Sequence, residues 1–129
     1  MPRRPSPTLT DAELRLMSVL WARGDSTVLA VRDALPPAER PAYNTVLTVL
    51  QIMERKGFVR HRKVGRAFVF APTVGRGEAS RNAVKHLLNR FFENRPELLV
   101  LNLLKAGDID ERELTELKRE VDRHGVSCP

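Results

Sequence analysis

The sequence predicts a mainly α-helical chain with one small β-hairpin, followed by a second group of helices. Apolar residues recur every three or four positions over most of the 129 residues, which is typical of amphipathic helices, whereas residues 58–71 alternate with a period of two. Charge also divides the chain: residues 1–75 hold 12 lysines and arginines against 6 acidic residues, while residues 76–129 hold 10 of each. We therefore expect a polyanion-binding part joined to a neutral part with another role.

The composition is that of an ordinary globular domain and argues against several classes of function. Hydrophobic residues make up 42% of the chain, and no apolar run reaches the roughly 18 residues needed to cross a bilayer, so we expect no stable membrane association. The single cysteine, Cys128, cannot form an intrachain disulfide, which suits a reducing cytoplasm. No cysteine and histidine spacing resembles a zinc site, and no glycine-rich phosphate loop or carboxylate cluster indicates an enzyme. We expect neither a cofactor nor catalysis.

The N-terminal part is predicted to begin with a flexible basic arm, residues 1–9, and two helices. Thr10 and Glu13 have the spacing of a capping box, which starts a helix that runs to about position 22. The expected apolar face of this helix consists of Leu14, Met17, Leu20 and Trp21. Ser26 or Thr27 can cap a second, shorter helix, which ends before the two prolines at positions 36 and 37.

The third helix, predicted over residues 42–56, has two faces of different chemistry. One face is an apolar stripe formed by Val46, Val49, Leu50 and Met53. The opposite face carries side chains that can donate and accept hydrogen bonds, namely Asn44, Thr48, Gln51 and Arg55. Because such side chains can read the edges of DNA bases, this face is predicted to contact a major groove.

A basic hairpin follows the third helix immediately after Gly57. Residues 58–63 and 66–71 are candidate strands, and Val64 and Gly65 are predicted to join them. The hairpin carries the basic side chains Arg60, His61, Arg62, Lys63 and Arg66. No acidic residue lies between positions 55 and 72, so we expect the hairpin to bind phosphates.

Three helices followed by a hairpin predict a winged helix-turn-helix over residues 10–75, in which the third helix reads DNA and the hairpin is the wing. A second interpretation is a winged helix that binds an acidic protein partner through the hairpin. The charge asymmetry fits both interpretations equally well. The polar face of the third helix favours DNA, because a protein-binding helix would be expected to show aromatic or leucine anchors.

Residues 76–129 are predicted to form a helical dimerisation region, with helices over residues 78–94, 97–105 and 110–124. Apolar side chains recur at helical spacing in all three helices, and the predicted dimer contacts are Leu87, Leu88, Phe91, Phe92, Leu98, Leu101, Leu104, Leu114 and Leu117. A single chain of this size cannot easily bury them all, which favours a homodimer. The alternative is a monomer in which these helices pack back on the winged helix.

Three segments resemble the penicillinase repressor family (BlaI/MecI) of bacterial transcriptional regulators: TDAELRLMSVLW from Thr10, AYNTVLTVLQIMERKGFVRH from Ala42, and GRAFVFAP from Gly65. The resemblance extends from about position 9 to position 124. It implies a dimeric winged-helix repressor, bound to a dyad-symmetric operator in double-stranded DNA, that controls a β-lactamase or another stress-response gene.

The resemblance also assigns roles to individual residues. Tyr43, Asn44 and Thr45, together with Thr48, match the family's base- and phosphate-contacting run at the start of the recognition helix. The alternative for Tyr43 is a half-buried ring that fixes the entry to the helix. The chain departs from some members at Leu47, where a basic residue can stand, and this difference removes one possible guanine contact.

In this family a membrane sensor-protease typically cuts the dimerisation region and thereby inactivates the repressor. The resemblance places the scissile bond at Asn102–Leu103, although members often carry an aromatic residue where this chain has Leu103. The alternative is that Asn102 is simply a polar residue at the dimer contact. A copper-responsive branch of the family ends in several cysteines, which Cys128 alone cannot supply.

Overall fold

The computed structural model describes residues 8–124 of the chain. Residues 1–7 of the predicted basic arm, and Cys128, lie outside this range. The described elements, in chain order, are α1 (Asp11–Arg23), β1 (Ser26–Thr27), α2 (Val28–Ala34), a 3₁₀ turn (Pro37–Glu39), α3 (Tyr43–Arg55), β2 (Val59–Val64), β3 (Ala67–Pro72), α4 (Arg76–Phe91), α5 (Pro96–Ala106) and α6 (Glu111–His124). They divide into two compact units, with the boundary between His86 and Leu87. The mainly helical fold class is confirmed.

The predicted capping box at the start of α1 is confirmed. The backbone N–H of Glu13 donates to the Thr10 hydroxyl at 3.2 Å, and the backbone N–H of Thr10 donates to the Glu13 carboxylate at 2.8 Å. At α2 the cap is Thr27, whose hydroxyl accepts from the backbone N–H of Ala30 at 3.0 Å. Side chains therefore satisfy backbone N–H groups that have no partner within these two helices.

The hairpin belongs to a three-stranded antiparallel sheet with the order β1-β3-β2. The sequence did not predict β1, because two residues are too few to show a periodicity. Ser26 pairs with Phe70, so the short strand attaches the start of α2 to the centre of the sheet. The hairpin turn also lies one residue later than predicted: Val64 pairs with Ala67, and Gly65 adopts a φ of 61°, a left-handed conformation that favours glycine.

The core of the first unit is formed by α1, α2, α3 and the sheet. The buried apolar side chains are Leu16, Met17, Leu20, Val28, Val31, Leu35, Val46, Leu50, Met53, Phe58, Val59 and Phe70. The prediction that Leu14 belongs to this core is wrong, since its side chain is 42% exposed. Leu16 is buried instead, because the inward face of α1 is centred on Met17 and Leu20 and passes through Glu13 rather than Leu14. Trp21 is half-buried and donates its Nε1–H to the Val74 carbonyl at 2.9 Å.

A buried ion pair joins the start of α1 to the end of α3. The Lys56 ammonium lies 2.6 Å from the Glu13 carboxylate, and both side chains are only 5% exposed. Lys56 also donates to the backbone carbonyl of Thr8 at 3.0 Å. Since the same Glu13 oxygen caps α1, this one carboxylate holds two segments that are far apart in the sequence.

The second unit is helical and has no buried side chain between residues 87 and 124. Helix α4 ends at Phe91, earlier than the predicted position 94, because Glu93 and Asn94 adopt φ values of 51° and 58° that no right-handed helix can contain. Helix α5 begins with a proline in its first turn, as predicted, and Gly107 ends it in the left-handed conformation.

The buried ion pair yields a prediction about stability. Lys56→Met leaves the Glu13 carboxylate buried without a cation, so we expect the free energy of unfolding to fall by about 3 kcal/mol or more. The additional change Glu13→Gln removes the remaining charge and should restore part of this loss. Urea denaturation followed by circular dichroism measures both.

The matched control for Lys56→Met is Arg62→Met, which removes a cation from an ion pair whose side chains are 61% and 48% exposed. We expect that change to cost less than about 1 kcal/mol, because solvent screens exposed pairs. Equal losses from the two substitutions would contradict the structural importance of the buried pair.

Candidate nucleic-acid interface

One side of α3 is anchored in the core, and the predicted reading residues lie on exposed parts of the helix. Val46, Leu50 and Met53 are fully buried. The side chains predicted to contact bases or the backbone are all exposed, namely Tyr43, Asn44, Thr45, Thr48, Gln51 and Arg55. The amphipathic pattern therefore orients the helix as expected, with its hydrogen-bonding side chains free of the core.

Two of these side chains differ in what they can offer a ligand. The Thr48 hydroxyl donates to the backbone carbonyl of Asn44 at 2.8 Å, one helical turn earlier. Thr48 therefore presents its methyl group and an oxygen acceptor, while its hydroxyl hydrogen is already engaged. The side-chain amide of Asn44 makes no hydrogen bond within residues 8–124, so both its donor and its acceptor face solvent.

The wing presents the predicted cations on an edge strand and at its turn. Arg60, Arg62 and Lys63 are exposed on β2, and Arg66 is exposed beside Gly65. Within the described part of the chain, Lys63 and Arg66 have no acidic partner. Two uncompensated cations next to a tight turn suit contact with phosphates.

Two carboxylates from other elements contact the wing, although no acidic residue occurs in the wing itself. Arg62 donates to Asp25 at 3.0 Å, across 37 positions of sequence. Glu54, near the end of α3, accepts from the backbone N–H of His61 at 3.0 Å and lies 2.7 Å from the His61 Nδ1. Neither carboxylate was predicted, because no local pattern connects Asp25 to Arg62, and Glu54 is separated from His61 by the turn at Gly57.

The second unit exposes much of its apolar surface. Among the predicted dimer contacts, the exposed side chains are Leu87, Phe91, Leu101, Leu114 and Leu117, and the half-buried ones are Leu88, Phe92, Leu98 and Leu104. Phe91 is 66% exposed, a high value for a phenylalanine. Asn102 is exposed and Leu103 half-buried, both within α5.

Between positions 8 and 124, no three histidine, cysteine, aspartate or glutamate side chains are placed to hold a metal ion together. Among the described helices, none combines the length and the apolar character that a bilayer crossing needs.

The chain is similar to known repressors both in sequence and in fold. The profile of the family described as penicillinase repressor matches residues 9–123. The penicillinase repressor of Bacillus licheniformis is 29% identical over 118 residues, which cover 92% of each chain. The transcriptional regulator BlaI of Mycobacterium tuberculosis is 41% identical over 71 residues, covering 54% of this chain and 51% of that one. The solution structure of the DNA-binding domain of the repressor BlaI aligns with a TM-score of 0.50 and 29% identity, over 59% of this chain and 93% of that domain.

The exposed cations of the wing yield a prediction about salt dependence. If Lys63 neutralises one phosphate, Lys63→Gln should weaken binding to duplexes of every sequence and should reduce the slope of log affinity against log salt by about 0.9. Fluorescence anisotropy of a labelled duplex over a series of salt concentrations measures this slope. Lys118→Gln, which changes an exposed lysine of α6, should leave the slope unchanged. A slope that is the same for Lys63→Gln and the parent protein would exclude Lys63 from the interface.

Proposed function

The chain belongs to the penicillinase repressor family, and on this premise we propose that it is a transcriptional repressor that binds a dyad-symmetric DNA operator as a homodimer in the cytoplasm. The observation that carries the proposal is the combination of an exposed hydrogen-bonding face on α3 with the exposed cations of the wing. The first can read bases and the second can hold phosphates.

The proposed contacts follow from the chemistry of each group. Asn44 can pair with the N6 and N7 edge of an adenine, since its amide has both a free donor and a free acceptor. Thr48 can place its methyl group against a thymine methyl. Arg60, Lys63 and Arg66 hold the wing on phosphates. Leu47 stands where a basic residue can occur in the family, and it is half-buried against the core, so it offers no guanine contact and DNA shape contributes to the choice of operator.

The proposed dimer is supported by the apolar surface of the second unit. An isolated segment as short as residues 87–124, fewer than about 40 residues, seldom forms a stable core without a partner. Two copies related by a two-fold axis would place the recognition helices in successive major grooves, one helical turn or about 10 bp apart. Binding of two half-sites then raises the affinity through effective concentration.

We further propose that proteolysis in α5 inactivates the repressor, with Asn102–Leu103 as the candidate bond and a membrane sensor-protease as the partner. A protease binds an extended chain, so this part of α5 must first unwind. Within one chain no side chain is buried between residues 87 and 124, so such unwinding requires little free energy in a protomer that its partner does not cover. The regulated genes are proposed to serve a response to β-lactams or to cell-wall stress.

The proposed reading role of Asn44 predicts a sequence-dependent loss. Asn44→Ala removes a side chain that has no partner in the described structure, so the helix itself should remain intact. We expect a loss of about 1–3 kcal/mol on the duplex that the protein enriches from a random pool, and little change on unrelated duplexes. Asn89→Ala, an exposed asparagine of α4, is the matched control. Equal losses on both kinds of duplex would contradict base reading by α3.

The proposed dimer contact predicts a change in mass. Phe91→Glu places a charge on the exposed apolar surface of the second unit, so the protein should sediment with the 14.6 kDa mass of a single chain and not with twice that mass. Asn89→Glu adds the same charge to a polar position of the same helix and should leave the dimer intact. A dimer that persists in Phe91→Glu would place the contact elsewhere.

A further inference from the structure

A carboxylate lies where a DNA-binding surface would normally avoid one. Glu54 is near the end of α3, one helical turn after Gln51, and it faces the wing, which carries the cations proposed to bind phosphates. A negative charge at this place repels DNA and should therefore lower affinity, unless it has a compensating task. The contacts of Glu54 indicate what that task is.

Glu54 accepts a hydrogen bond from a backbone N–H on the outer side of an edge strand. In the sheet order β1-β3-β2, β2 has a neighbour on one side only. The backbone N–H of His61 therefore has no partner from a strand on its outer side, and it donates to Glu54 Oε2 at 3.0 Å. The Nδ1 of the same residue lies 2.7 Å and 2.9 Å from the two carboxylate oxygens. One side chain of the recognition helix thus holds the wing strand by both its main chain and a side chain.

The opposite strand fixes the same histidine. The His61 ring lies 5.5 Å, between centroids, from each of the rings of Phe68 and Phe70 on β3. Phe70 is buried in the core and pairs with His61 across the strand ladder. Arg60 and Arg62 flank His61 and project from the other face of the strand, because successive side chains alternate. Fixing His61 therefore fixes the direction in which both arginines point.

We propose that Glu54 is a positioning residue for DNA binding, which sets the wing relative to the recognition helix so that both contact one duplex at the same time. This inference rests on the proposed function as a DNA-binding repressor. Glu54 itself makes no contact with DNA in this arrangement. It acts through His61, and the favourable placement of the cations outweighs the repulsion from its own charge.

The test compares two carboxylates that both contact the wing. Glu54→Ala and Asp25→Ala each remove one negative charge, but only the first removes a hydrogen-bonded contact between α3 and the wing. Asp25→Ala instead frees Arg62 from its ion pair. We expect Glu54→Ala to bind the enriched duplex about tenfold more weakly, and Asp25→Ala to bind at least as tightly as the parent protein. Glu54→Gln keeps one acceptor oxygen and should give an intermediate loss.

The salt slope separates positioning from a general loss of stability. If the wing leaves the DNA backbone, the slope for Glu54→Ala should be lower by about 0.9 for each phosphate that the wing no longer neutralises, whereas Asp25→Ala should show no reduction. Thermal unfolding confirms that both variants are folded under these conditions. In the unmodified protein without DNA, the His61 amide should exchange its hydrogen more slowly than in an unstructured peptide, because it is hydrogen-bonded.

The results that would overturn the proposal differ from those that would overturn DNA binding itself. If Glu54→Ala binds as tightly as Asp25→Ala, or if the His61 amide exchanges as fast as in an unstructured peptide, Glu54 does not position the wing. If the unmodified protein retains no duplex from the random pool, the proposed function fails, and the role of Glu54 fails with it.

Discussion

The placement of α3, the proposed recognition helix, depends on the buried contact between Glu13 and Lys56. A carboxylate in the core is tolerated only when cations and N–H groups satisfy it, and Glu13 receives both from the ends of two different helices. Lys56 is the residue that follows α3, immediately before the chain turns at Gly57 into the wing. The pair therefore fixes the point at which α3 ends and the hairpin begins.

The charged contacts become more exposed to solvent from the buried Glu13–Lys56 pair toward the wing. The Glu13–Lys56 pair is 5% exposed and largely shielded from salt, whereas the Glu54–His61 and Arg62–Asp25 contacts are partly exposed, so solvent screens them more strongly. A firmly held helix with a more weakly held wing suits DNA recognition. The bases demand fixed geometry, while the path of the backbone phosphates varies with DNA sequence and requires some adjustment.

Local sequence patterns predicted the helices and the hairpin well, but they did not predict the contacts between segments that are far apart in the sequence. The apolar stripe of α3 and the Thr10 capping box both depend on residues within two helical turns, so the sequence contains the full signal. The strand β1, the ion pair of Asp25 with Arg62 and the contact of Glu54 with His61 arise only when distant segments meet. Leu14 shows that periodicity is also limited. Its spacing fits the apolar face of α1, yet the buried residue on that side is Glu13 and Leu14 is exposed. Because a leucine is usually buried and a glutamate is usually exposed, the predicted face of α1 was rotated slightly from the observed one.

The composition of the second unit explains why repression should depend on dimerisation. Its helices carry apolar side chains without a core of their own, and residues 87–129 hold 7 lysines and arginines against 9 acidic residues, so neither burial within one chain nor attraction to DNA accounts for that composition. In the proposed dimer, the partner supplies the missing burial, and the folded state of this unit then depends on the concentration of protomers. A cut in α5 removes part of that shared surface. The dimer would lose stability in a single step, and each winged helix would fall back to the weak affinity of one half-site.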